Sequence, residues 1–446
     1  MKHILILTSA MLMASPVHAT DLVDSWRGAL VHDPDYQGDQ AARDAGQEAA
    51  VQSRALSRPS IQVQGGYQYK ITENDAQLPE ELAPSLSGTR TGGQATVGVQ
   101  AVQPIYDASK RAQSIQLRER AAGAEVLFAG AQQALILRVA QAYFAVLSGE
   151  DKIASYDGQI DAAEQQRSAA QARFDAGRAR ITDVREAEAQ RDAAVAQRIG
   201  AEADLAYARA AFSELTGLDA TDLRRPKESF VAPLPAISVE EAAERGETRS
   251  PAVKAAEHSA RAAGAETDRY RLSGRPVVEG VAGYQGQYRV SGESGNGIVP
   301  DRFQTASVGV RLTIPLYSGG AIKSKEREAR ADAMKAQRDL DAARRDAWLR
   351  AQSAWYAAST GARRVAALRT AQASAELQQS ATTTGRDVGI RTQNDVLNAQ
   401  SRTFSATRDY MQATYDYLLA RLQLAAATGD LGIDELEDAN NLLGSD

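Results

Sequence analysis

The chain is a tandem duplication, and that feature constrains its fold more than any other. Asp33-Pro34 recurs as Ser250-Pro251 and Arg58-Pro59 as Arg275-Pro276, both at a separation of 217. A loop six residues shorter in the second half brings the separation to 211, where Val97-Gly98-Val99 meets Val308-Gly309-Val310 and Pro104-Ile105-Tyr106 meets Pro315-Leu316-Tyr317. Beyond it, a separation of 212 relates Gly177 to Gly389, Asp183-Val184 to Asp395-Val396 and Thr216-Gly217 to Thr428-Gly429. Agreement at Gly, Pro and Asp over such spans marks two copies of one structural unit.

Each copy predicts the same order of elements. An opening helix starts at Asp33-Pro34 or Ser250-Pro251, an N-cap followed by proline at the first helical position, and Pro59 or Pro276 ends it. Two strands follow in each half. Ile61, Val63, Tyr67 and Tyr69 alternate with Gln62, Gln64, Gln68 and Lys70, and Val97 and Val99 with Thr96 and Gln100. Ala282 and Tyr284 likewise oppose Gln285 and Gln287, and Val308, Val310 and Leu312 oppose Ser307, Arg311 and Thr313. One face is apolar and the other wet, over roughly 10 to 12 residues, as a transmembrane barrel requires. A half-buried soluble sheet would usually draw on more Leu, Ile and Phe.

Four strands cannot close a barrel, and open edges in hydrocarbon leave backbone groups unpaired, so the strands must be shared between chains. Two chains would give eight strands around a filled interior; three would give twelve and room for a pore. A homotrimer is expected, with the hairpin loops Thr72 to Arg90 and Ser291 to Arg302 on one side of the membrane. Helical patterns then run over 107–175 and 319–387, on the order of 100 Å at the α-helical rise. The chain turns at Gly177 or Gly389 and returns as a helix of about 36 residues ending at Thr216-Gly217 or Thr428-Gly429, so paired rods are expected beneath the barrel.

Composition fits and excludes. Alanine, 85 of 446 residues, favours long helices whose backbones approach closely. Lys and Arg number 51 against 57 Asp and Glu, a net charge of -6 that argues against nucleic acid as a partner. Cysteine is absent, which removes disulfides, thiolate metal sites and a cysteine nucleophile. Lys2, the apolar run Ile4 to Met13 and Val17-His18-Ala19 read as a signal peptide over 1–19. The expected organisation is therefore a leader (1–19), a first repeat (20–217), an inter-repeat segment (218–249) in which Ser238 to Glu241 opens a short helix, a second repeat (250–428) and an acidic tail (429–446). The inter-repeat segment and the tail are expected to form a belt partway along the rods.

These residues carry a resemblance. The chain resembles the TolC family of outer membrane channels over essentially its whole mature length. The likeness rests on the two helix starts, on the Pro-Ile-Tyr and Pro-Leu-Tyr strand ends, and on two turn motifs. Those are Gly177-Arg178-Ala179-Arg180-Ile181-Thr182-Asp183-Val184 and Gly389-Ile390-Arg391-Thr392-Gln393-Asn394-Asp395-Val396-Leu397. The resemblance implies an α+β membrane protein with four transmembrane strands per chain, a twelve-stranded outer-membrane barrel as a homotrimer, and a long periplasmic α-helical barrel. It also implies a passive exit duct for efflux or type I secretion, docked to a periplasmic adaptor and an inner-membrane ABC or RND-type transporter. Absence of cysteine places the chain with the non-lipidated branch.

The same resemblance implies a periplasmic gate. Arg391 matches an Arg that holds a Thr-Asp pair of the other half, here Thr182 and Asp183, and Asp395 matches a carboxylate ringing the axis. Two residues depart from the pattern: Asn398 stands where a second ring carboxylate can occur, and Arg386 where a Tyr can complete the lock. The ring is then expected to hold three charges rather than six, with Arg386 adding an ionic contact to Asp183. Gly177 and Gly389 form the periplasmic tip turns.

No catalytic, cofactor or metal constellation is legible. Ser318 to Ser324 resembles a phosphate-binding loop but lacks the second Gly before Lys323, and the first half has Asp107-Ala108-Ser109-Lys110 there. His32 and His258 are too few for a metal site, and Trp348, Trp355 and Tyr356 read as packing residues. A structural envelope rod without transport is the alternative function; it accounts for the helices but not for polar strand faces.

Overall fold

The computed structural model describes residues 20–74, 88–227, 229–292 and 302–444. The expected signal peptide and most of both hairpin loops lie outside them. The elements run α1 (Leu22–His32), α2 (Pro34–Ala55), β1 (Ser60–Asn74), β2 (Gly88–Tyr106), α3 (Ala108–Asp175) and α4 (Ile181–Thr216). The second half gives α5 (Val239–Arg249), α6 (Pro251–Leu272), β3 (Val277–Gly292), β4 (Arg302–Thr313), α7 (Ala321–Asp387) and α8 (Gln393–Thr428), before a final α9 (Ile433–Asn440). The long helices span 68 and 67 residues and both return helices span 36. The duplication reaches further back than the opening helices. Asp21 caps α1 by accepting the Asp24 N–H, and Ser238, 217 positions on, caps α5 by accepting the Glu241 N–H.

The chain forms two compact units, one of residues 42–127 and 254–343, the other of the remainder. The first holds an antiparallel sheet in the order β1-β2-β3-β4. Its register aligns the alternating residues across strands: Val63 pairs with Val99, Val99 with Tyr284, and Tyr284 with Ala306. On the other face Gln62 Nε2 donates to Gln100 at 3.0 Å, Gln94 to Gln287 at 2.7 Å, and Arg311 to Glu279 at 2.9 Å. Among the described residues no protein layer covers the apolar face: Ile61, Val63, Val97 and Leu312 are exposed, and Val308 is 88% exposed. Pairing continues to Asn74 opposite Gly88, so β1 and β2 extend further into the first hairpin than the expected loop allowed. Small residues let the helices of this unit approach. A Cβ on Gly46 would stand 2.3 Å from that of Ala124, and Ser53 Oγ lies 2.8 Å from Ser114 Oγ.

The second unit is helical and holds the main core. Leu135, Val139, Tyr143 and Leu147 of α3 pack with Phe212 of α4, Leu22 of α1, Leu418 and Leu422 of α8 and Leu436 of α9. Around them the N-terminal, inter-repeat and C-terminal segments converge. Thr20 bridges Leu223 and Pro226 bridges Leu443, while the Gly444 N–H donates to the Arg225 carbonyl at 2.8 Å. Each long helix anchors this belt with an aromatic donor at the same repeat position. The Tyr143 hydroxyl reaches the Arg224 carbonyl at 2.8 Å and Trp355 Nε1 the Ile237 carbonyl at 2.8 Å. An ionic cluster adds to it, in which Arg225 engages Asp151 and, at 2.9 Å, Glu150. Trp355 thus packs as expected, whereas Trp348 and Tyr356 are exposed within the chain.

Candidate functional site

The two helix reversals are built alike. Gly177 adopts φ +69° and Gly389 φ +84°, the left-handed region that favours glycine. At each, the amide after the glycine reaches back five residues. Arg178 N–H donates to the Arg173 carbonyl at 2.7 Å and Ile390 N–H to the Gly385 carbonyl at 2.9 Å, which satisfies the last carbonyls of α3 and α7. A Cβ on either glycine would meet nothing within 4 Å, so conformation alone requires them.

The helices that leave the turns differ. Thr392 caps α8: its hydroxyl accepts the Asp395 N–H at 3.1 Å and Asp395 Oδ2 accepts the Thr392 N–H at 2.9 Å. The backbone N–H of Thr392, with its side chain, holds the Asp395 carboxyl below the ordinary aspartate range. Arg180 occupies the corresponding cap of α4 and supplies no side-chain bond. Asp183, the counterpart of Asp395, is therefore left outside a cap and takes the Thr182 hydroxyl at 3.4 Å. Of two equivalent carboxylates, one is committed to its own helix and the other is the freer acceptor.

The remaining gate residues lie around these turns. Arg386 donates to its neighbour Asp387, with Nη2 at 2.7 Å, instead of reaching Asp183; the adjacent carboxylate takes the guanidinium first. Asn398 Nδ2 donates to Asn394 at 3.1 Å. The stem of Arg391 lies over Gly385, where a Cβ would stand 2.8 Å from Arg391 Cγ. Within one chain and among the described residues, no hydrogen bond or ion pair joins Arg391 to Thr182 or Asp183. Sequence reasoning missed Gly385, whose legible signal is a glycine one turn before the αL glycine. It also missed the contact between the hairpins in which Gln393 of α8 is held by Arg173, at 3.2 Å, and by Gln166. Exposed apolar side chains flank both turns: Phe174, Ile181 and Val388, with Ile390 77% exposed.

The family model described as "Outer membrane efflux protein" matches residues 27–218 and 244–430. The chain belongs to the outer membrane efflux protein family. Its two matched segments correspond to the two repeats of this chain. The chain is 32% identical over 431 residues to the outer membrane protein TolC of Vibrio cholerae, covering 96% of this chain and 95% of that one. It is 27% identical to the proteases secretion protein PrtF of Dickeya chrysanthemi, over 98% and 94% of the two chains. The crystal structure of the outer membrane protein VceC from Vibrio cholerae superposes with a TM-score of 0.75 at 17% identity, covering 92% of this chain and 96% of that one, and shows a shared fold. This efflux-family member is accordingly an outer membrane efflux or type I secretion channel with a periplasmic helical part, and not an enzyme.

Proposed function

We propose that three copies of this chain close a twelve-stranded barrel over a periplasmic helical tunnel. The assembly is a passive exit duct for substrates delivered by an inner-membrane ABC or RND-type transporter through a periplasmic adaptor. The observation that carries the reading is the sheet: its apolar residues share one uncovered face, its polar residues the other, and β1 and β4 each have a free edge. Free edges in hydrocarbon are costly, and pairing β4 of one chain with β1 of the next removes them. The exposed apolar side chains at the tips suit an adaptor. Light scattering on the detergent-extracted protein, with single-channel recording in planar bilayers, tests the proposal. A trimer that conducts is expected; a stable monomer or an insulating protein rejects it.

The gate belongs to the same reading, with Arg391 of one copy reaching Thr182 and Asp183 of the next. Arg391→Ser combined with Arg386→Ala is expected to raise conductance. Asp395→Ala should weaken block by divalent cations from the periplasmic side and Asn398→Asp should strengthen it. Since the Asp395 carboxyl titrates below its ordinary value of 3.8, block should persist as the pH falls to that value and disappear only below it. Wild-type conductance and block in all these variants would remove the gate.

A further inference from the structure

The sheet is joined to the helices of its unit four times: α2 to β1, β2 to α3, α6 to β3 and β4 to α7. The residues at these junctions fall into two bands. Nearest the sheet the band is apolar. Ile105 and Tyr106 end β2, and their counterparts Leu316 and Tyr317 follow β4; all four are exposed, Leu316 to 92% and Tyr317 to 89%. A tyrosine at the end of a membrane strand keeps its ring against acyl chains and its hydroxyl among headgroups.

The second band is basic. Residues 54–60, 104–111, 271–277 and 313–325 together hold eight Lys or Arg and one acid, Asp107, in a chain whose net charge is -6. Each junction is net positive by itself. Arg54, Arg58, Arg111, Arg275 and Lys323 are exposed, and among the described residues no carboxylate of the same chain pairs with them. The duplication shows charge kept at a level of the fold more strictly than at a position. Arg54 and Arg58 recur as Arg271 and Arg275, but Lys110 and Arg111 give way to Ala321 and Ile322. The second copy then places Lys323 and Lys325 where the first has Ala112 and Ser114.

We propose that this collar binds anionic phospholipid of the periplasmic leaflet in preference to zwitterionic lipid. Each unpaired cation at a membrane surface favours an anionic headgroup roughly fivefold. A zwitterionic headgroup offers the same phosphate together with an ammonium that repels the collar. Free phosphate has the charge but no acyl chain to lie against Leu316 and Tyr317, so the adjoining apolar band favours lipid as its source. The inference rests on the barrel reading, because the sheet must lie in the membrane; it adds which lipid is favoured there and which residues select it.

A tryptophan at the collar reports its lipid neighbours directly. Full-length Tyr317→Trp protein is reconstituted into phosphatidylcholine vesicles containing brominated phosphatidylglycerol or brominated phosphatidylcholine. Quenching beyond that of the parent protein, which has Trp26, Trp348 and Trp355, measures lipid at the junction. The anionic lipid should reach half-quenching at a roughly fivefold lower mole fraction, and raised salt should shrink the difference with no substitution in the collar. Arg58→Gln, Arg275→Gln and Lys323→Gln combined should bring the two lipids level, whereas Arg58→Lys with Arg275→Lys should keep the preference. Protein that does not float with the vesicles overturns the barrel reading and the collar together. Inserted protein that both lipids quench equally overturns the collar alone, and a preference that survives the three glutamines overturns the residues assigned to it. Loss of the preference on adding inorganic phosphate at constant ionic strength would make this an anion pocket and overturn the lipid assignment.

Discussion

Val97→Arg and Val308→Arg should each destabilise the assembled barrel by about 2–4 kcal/mol, the effect of a cation on the lipid face near the bilayer midplane. Gln68→Arg should have far less effect. The register places the two kinds of site on opposite faces. Val97 lies opposite Gly65 on β1 and Gly286 on β3, and the Tyr288 ring lies over Gly286 on the same apolar face. Gln68 pairs with Gln94, which itself bonds Gln287 on the polar face. Heat-resistant oligomer on a gel, titrated against temperature, reads the difference. Equal loss for arginine on both faces would mean that the sheet does not separate lipid from water.

Valine at both tip glycines should reduce export to near background while the outer-membrane oligomer stays at its normal level. A non-glycine residue in the left-handed region costs about 1–2 kcal/mol, and a β-branched one fits it worst. Space is not the obstacle, because a Cβ at Gly177 or Gly389 meets nothing. The strain therefore falls on the turn itself, opening the back-bonds to Arg173 and Gly385 and displacing Val388 and Ile390. The core around Tyr143 lies in other residues and should be untouched. Export and oligomer level measured on the same cells would separate a docking defect from a folding one; unchanged export in the double variant would count against docking at the tips.

The elements most legible in the sequence are the repetitive ones. Long helices, glycine turns and alternating strands each occur twice, so one copy checks the other, and the ends of α3, α4, α7 and α8 fall within a residue or two of expectation. Helix α1 is hard to read from the sequence because three turns beside an apparent leader give little periodicity, although Asp21 and Ser238 share the spacing of the opening helices. At the gate, residue identity was easier to read than residue partnership. The resemblance gives Arg386 a contact to Asp183, while within one chain Arg386 pairs with its neighbour Asp387. The place of Asp395 at the axis rests on resemblance alone, whereas Thr392 three positions earlier marks it as part of a helix cap. Such choices depend on distances of a few ångströms between side chains, which periodicity does not encode.

The matched helix lengths carry a practical lesson for labelling this protein. Deleting one residue inside a long helix turns everything beyond it by about 100° and slides it about 1.5 Å. Every contact further along would then be presented to the wrong neighbour. The strand hairpins are under no such constraint, and the two copies already differ there by six residues. Epitope tags and reporter peptides therefore belong between Asn74 and Gly88 or between Gly292 and Arg302. In α3 or α7 even a short tag acts as a frameshift in three dimensions.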